Sequence, residues 1–229
     1  MLDALDMHAS YGRIPILNGV SLKVAAGEAI GVLGHNGMGK STLLKTLMGM
    51  LPLTRGSMRF EGADIGREPT HRRARLGLAY VPQGREIFPF LTVAENLRMA
   101  TRDEAEVARV VDEFAALKPL LGRQGGSLSG GQQQILAIAR CMCARPKAIL
   151  LDEPTEGIQP SIVDDIADLL LRMRAARGVA LVVVEQRLEF IAALADRALV
   201  MQKGRVVKEI AAGGLRDRTA LEEIVGMGA

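Results

Sequence analysis

The chain lacks any run of about 18 consecutive apolar residues, the length a membrane-spanning helix needs. It also opens without a charged leader, an apolar stretch and a small-residue cleavage site. A membrane role is therefore expected to be borrowed from a partner. Cysteine is scarce: Cys141 and Cys143 are separated by one residue in a stretch of helical character, where they point in different directions and are too close for an ordinary disulfide. No further Cys or His pair stands at zinc-binding spacing beside them, so buried packing in a reducing cytosol is expected, not metal ligation. Neither sign of charge dominates, since 29 Lys and Arg against 26 Asp and Glu leave a net +3; no nucleic-acid partner is expected from so small an excess. The one dense basic run, His71-Arg72-Arg73-Ala74-Arg75, lacks interleaved aromatics and reads as a solvated helix face. Internal repeats and low-complexity segments are missing too, which excludes a solenoid or a flexible linker.

What remains is an ordinary globular balance of 48% apolar and 24% charged residues, outside the disordered, collagen-like and disulfide-scaffold classes. The 229 residues suit one large or subdivided domain. Val20, Leu22 and Val24 alternate with Ser21 and Lys23, and Met58 and Phe60 flank Arg59, the period of half-buried antiparallel strands. Ala29 to Leu33, Ala148 to Leu151 and Val179 to Val184 are instead continuous apolar runs, as expected of parallel strands covered on both faces. Between Phe90 and Ala144 the pattern turns helical. Val107, Val110, Val111, Phe114 and Leu117 recur at helical spacing up to Pro119, and Thr92 with Glu95 has the form of a capping box. Ile162, Ile166, Leu169, Leu170 and Met173 mark another helix, which Gly178 should end. A short helical or irregular tail is expected beyond Ala211.

Gly34-His35-Asn36-Gly37-Met38-Gly39-Lys40-Ser41 fits the pattern G-x-x-x-x-G-K-S/T and sits between an apolar strand and an apolar helix. This is a phosphate-binding loop, running on into Thr42. Its glycines let backbone N–H groups and a helix N-terminus face a polyphosphate, while Lys40 neutralises phosphate charge and Ser41 ligates Mg²⁺. His35 is expected to contribute backbone alone, and nothing in the sequence singles out Met38. Ile149-Leu150-Leu151-Asp152-Glu153 is a buried strand ending in two carboxylates. Two such acids alone suggest a solvated turn; beside a phosphate loop, Asp152 suits the surroundings of Mg²⁺ and Glu153 suits the base that polarises the attacking water. Leu128-Ser129-Gly130-Gly131-Gln132 precedes a helical run, with Ser129 and Gln132 forming another capping box. The two glycines would also expose helix N-terminal N–H groups as a second anion site.

With these three motifs the chain resembles the ATP-binding cassette (ABC) ATPases over nearly its whole length. Leu128 to Gln132 matches their LSGGQ motif, the most family-specific of the three. The resemblance implies an α/β P-loop NTPase in which residues 1–89 and 145–229 form a RecA-like core with an antiparallel β subdomain. Residues 90–144 would form a helical subdomain carrying the LSGGQ motif, all within a single domain over 1–229. It further implies that Tyr11 stacks on adenine and that Gln83 senses Mg²⁺ and the attacking water. Two cassettes would clamp two ATP molecules head to tail, Ser129 and its glycines of one meeting the phosphates held by Lys40 of the other. The implied cofactors are ATP and Mg²⁺. The implied partners are transmembrane permease subunits, a second cassette and, indirectly, an extracytoplasmic solute-binding protein, with this chain cytoplasmic on the inner face of the cell membrane.

Two positions depart from the family's usual pattern. Counting back from Leu194-Ala195-Asp196, the switch position commonly filled by His is Gln186, a neutral amide that can still hydrogen-bond a phosphate oxygen or water. Gln159 stands where many cassettes have Asp. These departures, with Gln83-Gly84-Arg85-Glu86-Ile87-Phe88 and the stretch Asp152 to Ser161, resemble the ATPases of branched-chain amino acid, urea and short-amide importers. The second stretch is most similar to the urea and amide members. That branch commonly pairs non-identical cassettes, so the expected partner is a different cassette, with a homodimer as the alternative. The rival readings are a non-transport cassette serving DNA repair, translation or iron–sulfur assembly, and a binding-only regulatory cassette. Long coiled coils or a fused second cassette, which mark many non-transport relatives, are missing from this sequence.

Overall fold

Residues 1–215, with Asp217 and Gly226, are described by a computed structural model of the chain. The chain begins with strands β1 (Leu2–Tyr11) and β2 (Ile14–Val24), paired antiparallel with Leu2 opposite Val24 and Ala4 opposite Leu22. Their alternation buries Val20, Leu22 and Val24 on one face, as the period-two pattern requires. Strand β3 (Ala29–Leu33) follows, then helix α1 (Lys40–Met48), β4 (Arg55–Phe60) and β5 (Ala63–Asp64). The antiparallel sheet has the order β2-β1-β4-β5.

Helix α2 (Thr70–Leu76) leads into β6 (Leu78–Val81). The regular elements between Val93 and Cys143 are helical: α3 (Val93–Arg98), α4 (Glu104–Glu113), two short 3₁₀ turns, and α5 (Gly130–Cys143). Next come β7 (Ala148–Asp152), α6 (Pro160–Arg177), β8 (Ala180–Val184), α7 (Leu188–Leu194), β9 (Arg197–Gln202), β10 (Arg205–Ala211) and α8 (Ala212–Leu215). Apart from α8, Asp217 and Gly226, the tail expected beyond Ala211 lies outside the described residues.

The second sheet has the order β10-β9-β3-β8-β7-β6, parallel except for the antiparallel edge strand β10. Its central strands explain the continuous apolar runs. Ala29 and Leu33, Ile149 and Leu151, and Leu181 and Val183 pack into one core with α5, α6 and α7. Their neighbours Ile30 and Val32, Leu150, and Val182 and Val184 pack into another with α1 and the antiparallel sheet. Both faces are thus covered. The strands β3, β8, β7 and β6 lie side by side and parallel, so the loops leaving their carboxyl ends converge at one edge, where an open α/β sheet binds ligands.

Two expectations require correction. The apolar spacing from Val107 to Leu117 is not one helix: α4 stops at Glu113, Phe114 leaves the helical region at φ −103 and ψ 57, and Ala115–Leu120 is 3₁₀ with Pro119 inside it. Phe114 and Leu117 are both buried, so the spacing reflects two pieces facing one core. The basic run is likewise solvated only in part. His71, Arg72 and Arg75 are exposed, but Arg73 is 2% exposed. Its guanidinium donates to the carbonyls of Thr46 (2.9 Å) and Leu47 (2.8 Å), adding donors at the end of α1, where Thr46 also takes the Gly49 N–H, and to the Glu68 carbonyl (2.8 Å).

Candidate active site

The loop between β3 and α1 is held tightly against β9. A Cβ on Gly34 would come 2.4 Å from the Met201 carbonyl, so only glycine fits. Gly39, at φ 96, caps α1 without any side-chain hydrogen bond, and no acidic residue lies in the first turn. The leading N–H groups of α1 are therefore left for an anion. Lys40 is 4% exposed and donates to the Gly34 and His35 carbonyls at 2.7 and 3.0 Å. Burial lowers its pKa, while Glu153, Asp152 and Glu185 oppose that shift. His35 thus lends its backbone carbonyl to Lys40. Met38 anchors the loop: its sulfur accepts from the Lys203 N–H at 3.3 Å and its carbonyl from the Gly204 N–H at 3.1 Å. No sequence signal marked that role.

Across the sheet, Asp152 at the end of β7 is 1% exposed. Its Oδ1 accepts from the Ser41 hydroxyl at 2.9 Å and its Oδ2 from the Tyr80 hydroxyl at 3.0 Å. Burial raises the Asp152 pKa, and those two hydrogen bonds pull it back. Burial and the adjoining Asp152 push the Tyr80 phenol well above its ordinary range, so it remains a donor. Hydroxyl and carboxylate oxygens, with the Gln83 amide nearby, form the hard donor set that suits Mg²⁺. Among the described residues no cluster of three or more His, Cys, Asp or Glu could hold a metal ion. An ion here would need phosphate oxygens to complete its shell.

Glu153 follows in a left-handed backbone conformation, φ 45, which is uncommon for a non-glycine residue and frequent at functional sites. Its N–H donates to the Val184 carbonyl at 2.9 Å. Its Oε1 accepts from Gln186 Nε2 at 3.1 Å and lies 3.9 Å from Lys40 Nζ. Its Oε2 is 3.4 Å from Gln83 Nε2, which also donates to Glu156 at 2.9 Å. Gln186 Nε2 reaches Asn36 Oδ1 at 2.9 Å as well. Burial raises the Glu153 pKa, with Glu185 and Glu156 adding to the rise and the Gln186 hydrogen bond and Lys40 opposing it.

These groups border a cleft of about 400 Å³ that includes Asn36, Lys40, Ser41, Thr42, Gln83 and Glu153. A larger hollow of about 550 Å³ beside β4 and β5 contains none of them. Tyr11 is 47% exposed at the end of β1, opposite Ile14, and does not line the cleft, whereas Ile16 does. The LSGGQ stretch, Leu128 to Gln132, forms the capping box that its spacing predicts. Ser129 caps α5, accepting from the Gln132 N–H at 3.3 Å and donating its own N–H to Gln132 Oε1 at 3.0 Å, a device worth about 1 kcal/mol. Gly131 packs on α6, where a Cβ would meet Ile162 at 2.5 Å. None of Leu128 to Gln132 lines the cleft of its own chain.

A glycine-rich phosphate loop, an acidic strand end and a parallel sheet whose carboxyl edge gathers them define a nucleoside triphosphatase of the P-loop class. The chain belongs to the ABC transporter family, whose model matches residues 17–156. The Pseudomonas aeruginosa "High-affinity branched-chain amino acid transport ATP-binding protein BraG" is 41% identical over 213 residues, 90% of this chain and 91% of that protein. The Archaeoglobus fulgidus "Probable branched-chain amino acid transport ATP-binding protein LivF" is 34% identical, with 98% of each chain covered. The crystal structure of the ADP conformation of MJ1267, an ATP-binding cassette of an ABC transporter, superposes with a TM-score of 0.86 at 26% identity, over 99% of this chain and 98% of that one. The fold is the ABC cassette, an α/β core with an antiparallel β subdomain, and the chain is the ATP-binding, ATP-hydrolysing subunit of an ABC transporter. Among the described residues no helix is long and apolar enough to cross a membrane.

Proposed function

We propose that this chain powers import of branched-chain amino acids from the cytoplasmic face of the membrane, hydrolysing ATP with Glu153 as the general base. The observation that carries the catalytic reading is the meeting of Glu153 with Gln186 and Gln83 beside Lys40, at the mouth of the phosphate loop. Lys40 and the α1 N-terminus grip the phosphates, Tyr11 stacks on adenine, and Glu153 takes the proton of an attacking water that Gln186 and Gln83 orient. Ser41, Asp152 and Gln83 would hold Mg²⁺, which would supply positive charge to neutralise the phosphate oxygens. Because Leu128 to Gln132 lie off their own cleft, they serve the nucleotide of a second cassette. Gln186 and Gln159 favour a non-identical partner that brings the more usual His and Asp.

Similarity to two ATPases named for branched-chain amino acid transport supports the solute class. The stretch Asp152 to Ser161, most similar to urea and amide members of the branch, supports urea or short-chain amides as the second reading. Selectivity resides in the permease and the solute-binding protein. The test is reconstitution of the chain with its permease subunits and binding protein in vesicles. Leucine or valine should stimulate ATP hydrolysis and accumulate inside. Stimulation by urea or acetamide alone would assign the second reading, and no stimulation by any of these solutes would count against import of this class.

A further inference from the structure

Glu185, the first residue after β8, is 3% exposed, and each of its carboxylate oxygens takes two donors. Oε1 accepts the Thr155 N–H at 3.0 Å and the Thr155 hydroxyl; Oε2 accepts the N–H groups of Gln186 at 2.6 Å and Arg187 at 3.2 Å. All four donors are neutral. Burying a charge without bonding it to a cation is costly, and an apolar side chain would follow a buried strand at less cost. The carboxylate bridges two loops that are 30 residues apart in sequence.

We propose that Glu185 is a positioning residue that locks the loop after β7 to the loop after β8, and so sets Gln186 against Glu153. Thr155 lies two residues beyond Glu153, and Gln186 is the next residue after Glu185. The Glu153 N–H is already tied to Val184, so backbone and side-chain bonds together hold the two loops in one register. That bracing also maintains the left-handed backbone at Glu153, a conformation that persists only when its surroundings over-determine it. The inference rests on the roles proposed above for Glu153 and Gln186.

The test combines steady-state ATPase kinetics with binding of a fluorescent ATP analogue, in Glu185→Gln, Thr155→Val, Gln186→Ala and the double variant Glu185→Gln with Gln186→Ala. An amide at 185 leaves at least one of the facing N–H groups without an acceptor. Glu185→Gln should lower kcat about tenfold with nucleotide affinity unchanged within about twofold. In the Gln186→Ala background it should lower kcat by less than about twofold more, because both changes break the same contact. Thr155→Val, which loses only a hydroxyl, should lower kcat about threefold with the same unchanged affinity, and it supplies the answer if Glu185→Gln does not fold. Multiplying effects in the double variant, an unchanged kcat in Glu185→Gln, or parallel losses of kcat and affinity would each overturn the proposal. If Gln186→Ala turns over at the parental rate, the reading of Gln186 falls and this inference with it. If Gln186→Ala is impaired while Glu185→Gln and Thr155→Val are not, only the role of Glu185 is removed.

Discussion

Gln186 Nε2 donates to Glu153 Oε1 at 3.1 Å, although the two residues follow different strands and lie 33 positions apart. The amide therefore holds the carboxylate as a neutral imidazole N–H could, without being able to gain a charge itself. A single Gln186 nitrogen also reaches Asn36 in the phosphate loop, so Glu153, Gln186 and the loop form one hydrogen-bonded chain. A neutral histidine offers one N–H and could not serve both with a single nitrogen.

The first consequence is a pH profile governed by Glu153. Its pKa is raised by burial, and the base must be ionised to work, so kcat/KM falls as pH drops through a value above the ordinary glutamate range of about 4.3. Because Gln186 does not titrate, Gln186→His should add a second ionisation to the profile. A parental rate that stays flat down to the ordinary glutamate range would contradict this.

The same shift bears on stability. A folded-state pKa above the unfolded value means that the contribution of Glu153 is fully present below the unfolded pKa and is lost as pH rises through the folded one. Glu153→Gln removes that loss. Its Tm should exceed the parental Tm at pH 8, with the gap closing as pH falls into the acid range. An equal or lower Tm at pH 8 would count against the raised pKa.

Arg73 yields a prediction on folding alone. Arg73→Met takes a donor from the carbonyls of Leu47, Glu68 and Thr46, of which Thr46 keeps the Gly49 N–H, and urea denaturation should show a loss of about 3 kcal/mol. Arg72→Met, on the exposed side of the same helix, should stay within about 0.5 kcal/mol. Equal effects at both positions would return Arg73 to the solvated face that the bare sequence suggests.

Features set by near neighbours along the chain are legible in the amino-acid sequence itself. The phosphate loop between Leu33 and Thr42, the capping boxes at Thr92 and Ser129, and the doubly covered strands all follow from local spacing. Features that depend on which strand lies beside which are not. Tyr80 reaches Asp152 because β6 pairs with β7, Tyr80 lying opposite Leu150; no local pattern selects that pairing. Arg73 reads as one cation among several until α2 packs on the end of α1. Glu185 carries a faint signal, an acid directly after a continuous apolar strand, but its partner Thr155 becomes evident only once β7 and β8 are adjacent.

The central claim, that Glu153 activates the water attacking ATP held over Lys40, is tested most directly by single-turnover hydrolysis in Glu153→Gln. The substitution should slow hydrolysis by about 100-fold or more while leaving MgATP affinity within about threefold, because it removes the base and spares the phosphate grip. Hydrolysis within a few-fold of the parental rate, with binding intact, would remove Glu153 from that role.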